Sequence, residues 1–182
     1  PELKKQLSER KELITQTTKS GQFYTTKEAL AEEKQLIQST RKGRNQLEPI
    51  NINHQITNDK MGDEQKVAVQ HALGSKDLVT IITGGAGTGK TWSVKEIAKA
   101  VEESGMPFRA YAPSAAASRD VQRKDGFEGA TTIAELLQSE KQQNTVQGGV
   151  MWIDEAGMVG NKTMNRLMEI AKEQEARILL TG

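Results

Sequence analysis

A glycine-rich loop at residues 84–91 constrains this chain more than any other feature. It reads Gly-Gly-Ala-Gly-Thr-Gly-Lys-Thr, and the apolar residues 78–83 before it are typical of a buried strand. Glycines let the backbone turn tightly and direct its N–H groups at phosphate oxygens, which a Cβ would keep at a distance. Lys90 can place its charge on the β- and γ-phosphates, and Thr91 can offer its hydroxyl to Mg²⁺. A helix over 91–103 would direct its positive N-terminus at the same anion.

The predicted nucleotide-binding set therefore covers the whole loop and its first helical residues. Its members are Gly84, Gly85, Ala86, Gly87, Thr88, Gly89, Lys90 and Thr91. Strand, complete motif and helix follow one another in the order that a phosphate-binding loop requires, which argues against a chance match.

Composition limits the classes of protein to which the chain can belong. It has 182 residues, a net charge of +1, no cysteine, 35% hydrophobic and 27% charged residues. No apolar run reaches the roughly 18 residues of a membrane helix, so we expect no membrane partner. Without a signal-peptide region or a disulfide framework, a cytoplasmic setting is expected. The small net charge means that any nucleic-acid binding must depend on local patches.

The chain divides by pattern into residues 1–56, a helical N-terminal segment with a linker, and residues 57–182. Leu3, Leu7 and Ile14 recur at helical spacing. Thr25 and Glu28 then predict a capping box for a second helix, which Gly43 would end.

Beyond residue 62, helix and strand patterns alternate, as a parallel sheet with crossover helices requires. Strands are predicted at 78–83, 108–112, 150–153 and 177–181, with helices at 63–73, 91–103, 114–124, 131–137 and 161–174. Residues 140–149 are polar and read as a surface loop. Met158, Met164 and Met168 are expected to pack the last helix.

An apolar strand, Met151-Trp152-Ile153, delivers two adjacent carboxylates, Asp154 and Glu155. Together with Lys90 they form the predicted catalytic set. Asp154 would hold Mg²⁺ with Thr91, while Glu155 would polarise an attacking water. The pair favours hydrolysis over simple binding, although two acids at a strand end can also be merely solvated.

Gln65 lies on the helix before the first strand. Its amide offers both a donor and an acceptor, which matches the edge of adenine. Gln65 therefore joins the predicted nucleotide-binding set, although an exposed helical glutamine is an equal alternative and the preference for ATP stays open at this point.

The combined motifs resemble the first motor domain of RecD-like superfamily 1 DNA helicases, most closely the helicase portion of TraA-type conjugative relaxase-helicases. The resemblance rests on Gln65, the loop at 84–91, and three further segments: Ala-Pro-Ser-Ala-Ala-Ala at 112–117, Thr-Thr-Ile-Ala-Glu-Leu-Leu at 131–137 and Ile-Asp-Glu-Ala-Gly-Met-Val at 153–159. The resemblance implies an α/β, RecA-like P-loop NTPase fold that uses ATP and Mg²⁺. It also implies single-stranded DNA contacts at Pro113, Ser114, Ser118, Thr131 and Thr132. A lead-in at residues 23–28 resembles the helical segment before such motors.

The chain departs from this pattern at three points. Trp92 replaces a small residue, Ser114 replaces the commoner threonine, and the Gly-Asp-x-x-Gln motif would only begin at Gly182. We therefore expect a fragment whose second RecA-like domain, with its arginine finger, lies elsewhere in a longer chain. His54 and His71 are too few for a relaxase metal site, and His71 is expected to be a packing residue.

Two other functions are alternatives to a helicase motor. A vestigial or regulatory module could grip single-stranded DNA or a partner without motor activity. A phosphate-loop kinase or another NTPase would leave the 112–117 and 131–137 segments unexplained.

Overall fold

The computed structural model describes residues 13–85 and 88–182, and the side chains of 122–125 are not described. Its first element is a β-hairpin, in which β1 (Leu13–Thr18) pairs antiparallel with β2 (Gly21–Thr26). The predicted helix is therefore wrong over the described part of 1–17, and Leu3 and Leu7 lie outside the described residues. The strands are rich in β-branched residues, which favour extended backbone. The 23–28 lead-in is likewise a strand as far as Thr26.

Helix α1 (Lys27–Lys42) follows directly. Its N-cap is Thr26, whose hydroxyl accepts from the Ala29 N–H at 3.0 Å, so the cap lies one residue beyond the predicted Thr25. Gly43 ends the helix as predicted, but with φ −81°, which any residue can adopt. Glycine is required at this position for lack of space, because a Cβ at Gly43 would lie 2.7 Å from the Leu78 Cβ.

The remaining elements form one α/β layer structure. They are α2 (Asp63–Gly74), β3 (Val79–Ile82), α3 (Lys90–Glu103), β4 (Phe108–Ala112), α4 (Ala115–Asp125), β5 (Thr131–Thr132), α5 (Ile133–Gln138), α6 (Glu140–Asn144), β6 (Val150–Ile153), a 3₁₀ turn (Ala156–Met158), α7 (Asn161–Glu173) and β7 (Arg177–Thr181). The sheet has the order β3-β7-β6-β4-β5, and all its pairings are parallel. The predicted RecA-like sheet with flanking helices is confirmed.

Both faces of the sheet are covered, as its apolar strands require. On β6, Val150 and Trp152 join one buried cluster that includes residues of α2 and α3. Met151 and Ile153 point to the other face and join a second cluster that includes residues of α5 and α7. The side chains of a strand alternate between faces, so a continuous apolar run buries itself on both sides.

The connector after α1 packs on this layer structure through polar contacts. Arg177 donates to the Ser75 carbonyl at 3.1 Å and to the Glu48 carbonyl at 2.8 Å, and burial lowers the pKa of its guanidinium. His54, with its side chain only 4% exposed, places Nε2 2.8 Å from Glu96 Oε1 and Nδ1 3.3 Å from Glu103 Oε2. These contacts fix the connector against α3 and β7.

Three smaller expectations are corrected. Residues 140–149 contain the short helix α6, and Gln143 and Val146 within this stretch are buried. Met164 and Met168 are buried as predicted, but Met158 is 73% exposed because it lies in the 3₁₀ turn before α7. His71 is exposed rather than a packing residue. Over the described ranges, no helix is both long and apolar enough to cross a membrane.

Candidate functional site at the carboxyl edge of the sheet

The second half of the predicted loop, Thr88 to Thr91, and both predicted acids line one cavity, which we call the loop–acid cavity. Its volume is about 400 Å³, and it opens beyond the carboxyl ends of β3, β6 and β7. It is lined by Thr88, Gly89, Lys90, Thr91, Trp92, Val94, Trp152, Asp154, Glu155 and Thr181. Parallel sheets bind ligands at this edge, because loops from neighbouring strands converge there. The register of the sheet thus unites motifs that lie far apart in sequence.

The phosphate-loop side is held by contacts among its own residues. Lys90 Nζ donates to the carbonyl oxygens of Gly84 at 2.6 Å and Gly85 at 3.1 Å. The Thr88 hydroxyl donates to the same Gly85 oxygen at 2.9 Å. Gly89 is the N-cap residue of α3 and has φ +78°, a left-handed conformation that favours glycine. Ala86 and Gly87 lie outside the described residues.

Gln65 contacts the loop directly. Its Nε2 donates to the Thr88 carbonyl at 2.8 Å, and its Oε1 accepts from the Gly62 N–H at 3.0 Å. Both functions of the amide are therefore used within the protein, one to cap α2 and one to hold the loop. Neither reading of Gln65 from sequence included this contact with Thr88.

Trp92 is the unexpected member of the lining. It is 52% exposed on the first turn of α3, and Lys95 Nζ lies 5.6 Å from its ring centroid. Helix α3 begins at Lys90 in spite of this bulky residue, because Trp92 points away from the buried face that carries Val94 and Ile97.

The acid side rises from the buried strand β6. Asp154 is half-buried, and its N–H donates to the Tyr111 carbonyl at 3.0 Å, which extends the parallel pairing beyond β6. Glu155 is exposed and has φ +51°. A non-glycine residue in this left-handed region is uncommon and costs about 1–2 kcal/mol. This backbone turn takes the chain out of the strand, and both carboxylates line the loop–acid cavity.

Asp154 has a buried partner that the motif search did not identify. Thr181, at the end of β7, donates its hydroxyl to Asp154 Oδ1 at 2.9 Å, and Trp152 Nε1 donates to the Thr181 hydroxyl at 2.8 Å. The sequence signal was available, because the strand between two motif strands carries a polar residue at its end. Register is the missing information: β7 pairs with both β3 and β6.

A magnesium ion fits the chemistry of this cavity. The Thr91 hydroxyl and the Asp154 carboxylate are oxygen ligands of the kind that Mg²⁺ prefers. Within residues 13–85 and 88–182, no group of three or more His, Cys, Asp or Glu could hold a metal ion by itself. Mg²⁺ is usually bound by one or two protein oxygens together with substrate phosphates and water.

Of the residues that the resemblance assigns to DNA, Pro113 and Ser114 directly follow β4, Thr131 and Thr132 form β5, and Ser118 lies on α4, but several are engaged internally. Ser114 caps α4 by accepting from the Ala117 N–H at 3.2 Å. Thr132 and Glu135 form the capping box of α5. Ser118 is buried and donates to the Ala130 carbonyl at 2.9 Å. Pro113 is half-buried and lines a smaller cavity of about 230 Å³ with Ile133, Ala134, Leu137, Met158, Val159, Gly160 and Thr163.

Tyr111, on β4 beneath this region, serves packing. It is 2% exposed, and burial raises the pKa of its phenol, while the Thr145 side chain and the charge of Arg109 act in the opposite direction. The phenol therefore stays protonated over the neutral range.

Residues 60–182 match the model of the AAA domain family, and the chain belongs to that family. It is similar to a probable conjugal transfer protein TraA of Sinorhizobium fredii, with 30% identity over 124 residues, which is 68% of this chain and 11% of the relative. A conjugal transfer protein TraA of Rhizobium radiobacter is 29% identical over 125 residues, with the same coverage. The resemblance to the helicase region of TraA-type proteins is thereby confirmed. The matched region spans about a tenth of the length of these relatives.

Proposed function

We propose that this chain is part of an ATP-dependent DNA helicase or translocase of conjugative DNA transfer. It would form the first of two motor domains in a longer chain. The observation that carries the proposal is the loop–acid cavity, which Lys90 and Thr91 line together with Asp154 and Glu155. Membership of the AAA domain family supports nucleotide use, and the names of the TraA relatives support the conjugative role.

In this proposal each wall of the cavity has its own task. The loop N–H groups and Lys90 bind the triphosphate, while Thr91 and Asp154 hold Mg²⁺. Bound Mg²⁺ neutralises negative charge on the phosphates. Glu155 accepts a hydrogen bond from the attacking water and orients it. Gln65 contributes by holding Thr88, and it can reach adenine only by exchanging that contact or sharing it.

DNA would cross the carboxyl ends of β4 and β5, beside the loop–acid cavity. Pro113 and the exposed Met158 line the smaller cavity there, which suits contact with bases and sugars. Ser114 holds the N-terminus of α4, which would present backbone N–H groups to the phosphates, while Thr132 is engaged with Glu135 in capping α5. The buried Ser118 would act by joining α4 to the segment before β5.

The chain by itself should bind ATP without appreciable turnover. In motors of this kind an arginine supplied by another domain typically contributes ~10³–10⁵ in rate. The proposal places that arginine in the second RecA-like domain.

A binding titration with a fluorescent ATP analogue in Mg²⁺ tests the proposal. Lys90→Ala should weaken binding at least about tenfold, because hydrogen bonds to charged groups contribute about 1.5–3 kcal/mol each. Lys99→Ala is the matched control, since Lys99 lies further along the same helix and does not line the loop–acid cavity. Equal binding by wild type and Lys90→Ala would overturn the assignment. If the wild-type chain bound labelled single-stranded DNA but did not bind the nucleotide, the vestigial module would be favoured instead.

A further inference from the structure

Thr181 is a buried hydroxyl at the edge of the loop–acid cavity with two polar partners. It is 1% exposed, and its oxygen lies 2.8 Å from Trp152 Nε1 and 2.9 Å from Asp154 Oδ1. Trp152 is 2% exposed, and its ring packs against Phe127 with centroids 4.7 Å apart. Three neighbouring positions of the sheet edge are thus joined by a chain of two short hydrogen bonds.

The direction of this chain is fixed by chemistry. An indole N–H can only donate, so the Thr181 oxygen must accept from Trp152. A threonine hydroxyl has a single proton, and the geometry commits it to Asp154 Oδ1. The tryptophan therefore prevents the hydroxyl from rotating to another acceptor.

We infer that Thr181 is a positioning residue for Asp154, and that Trp152 in turn positions Thr181. The hydrogen bond engages Oδ1 and leaves Oδ2 of Asp154 as the oxygen to face Mg²⁺ or its water shell. The carboxylate is held in one orientation before the nucleotide binds. This inference rests on the proposed function, since the two hydrogen bonds position a magnesium ligand only if the cavity binds a magnesium nucleotide.

The burial of Thr181 and Trp152 supports a role in holding Asp154. Hydrogen bonds in a water-poor environment are stronger than those in solvent, and they define one side-chain arrangement where an exposed carboxylate would sample several. Asp154 is half-exposed at the end of its strand, so its own packing does not fix it. The fixed partner comes from β7, which lies between β3 and β6 in the sheet.

The test measures affinity for a fluorescent ATP analogue in Mg²⁺ and in EDTA, using the full 182-residue chain. The dissociation constant in EDTA divided by that in Mg²⁺ reports how strongly Mg²⁺ supports binding. Thr181→Val keeps the shape of the side chain and removes the hydroxyl, and it should lower this ratio about tenfold while leaving the EDTA affinity unchanged. Thr181→Ser keeps the hydroxyl and should retain most of the ratio. Trp152→Phe should lower it by a smaller factor.

Thr80→Val is the matched control for loss of a buried strand hydroxyl. Thr80 lies on β3, is 8% exposed and donates to the Ser75 hydroxyl at 3.0 Å, outside the loop–acid cavity. Its ratio should equal that of wild type. An unchanged ratio in Thr181→Val would overturn the inference and leave the proposed function standing, because a merely structural bond would lower stability alone. Failure of the wild-type chain to bind the nucleotide in either condition would overturn the proposed function itself.

Discussion

The two walls of the loop–acid cavity differ in how their charged groups are held. On the loop wall, Lys90 Nζ is bound by two backbone carbonyls of its own loop, at 2.6 Å and 3.1 Å. On the acid wall, Asp154 is held by Thr181, a buried residue of a neighbouring strand. Lys90 still has a third N–H to offer a phosphate, and we expect it to exchange its carbonyl contacts for the ligand, whereas Asp154 is already held in place. We therefore expect the loop wall to reorganise on binding and the acid wall to stay as it is.

The largest expected effect lies on the acid wall. In a longer chain with both motor domains, Glu155→Gln should slow ATP hydrolysis about 10²–10⁴-fold, which is the usual contribution of a positioned proton-accepting group. Nucleotide affinity should stay near wild type, because the loop wall is untouched. Steady-state hydrolysis and nucleotide titration check the two parts.

The matched control is Glu102→Gln, which changes an exposed acid of α3 that lines a different cavity. Its hydrolysis rate should equal that of wild type. If Glu155→Gln hydrolysed ATP at the wild-type rate, Glu155 would have no part in the chemistry.

An intermediate effect is expected on the loop wall at Gly89. Alanine there must adopt a left-handed backbone, at a cost of about 1–2 kcal/mol, and its Cβ would overlap Gln65 Nε2. Gly89→Ala should therefore lower both the free energy of unfolding and the affinity for ATP. Urea unfolding and nucleotide titration measure the two.

Gly105→Ala is the control that separates the cost of a left-handed alanine from the effect of the clash with Gln65. Gly105 has φ +74° at the far end of the same helix, and a Cβ there meets nothing within 4 Å. It should lose similar stability and keep its ATP affinity. Equal ATP affinities in the two variants would show that the clash of the added Cβ with Gln65 has no bearing on binding.

Gln65→Ala should have the smallest effect on the free energy of unfolding and on nucleotide affinity. It removes exposed hydrogen bonds to Gly62 and Thr88, which contribute about 0.5–1.5 kcal/mol each. Gln70→Ala, an exposed position on the same helix, is the control. If Gln65 also reads adenine, the preference for ATP over GTP falls in the variant, and an unchanged preference would remove that role.

Sequence periodicity predicted most of the layer structure, because its strands are apolar runs closed by clear stop signals. The strands Phe108–Ala112, Val150–Ile153 and Arg177–Thr181 coincide with their predicted bounds. The N-terminal hairpin was missed, since sparse leucines at helical spacing outweighed the threonine-rich run at Leu13–Thr18. Strand β5 was also missed, because two residues give no period to detect.

The site divides in a similar way. Local motifs predicted the loop and Asp154, since each motif carries its chemistry within a few residues. The partners that come from other elements could not be predicted, because they depend on register and packing. Thr181 meets Asp154 only through the pairing of β6 with β7, and His54 meets Glu96 only because the connector folds back on α3.

A crystal structure of the chain with Mg²⁺ and a non-hydrolysable ATP analogue tests the central claim most directly. We expect the triphosphate in the loop–acid cavity, with Lys90 Nζ moved from the Gly84 and Gly85 carbonyls to the phosphates. Asp154 Oδ1 should remain within hydrogen-bond distance of the Thr181 hydroxyl, at about the present 2.9 Å. A nucleotide bound elsewhere, or one bound here with Lys90 still on its loop carbonyls, would contradict the account.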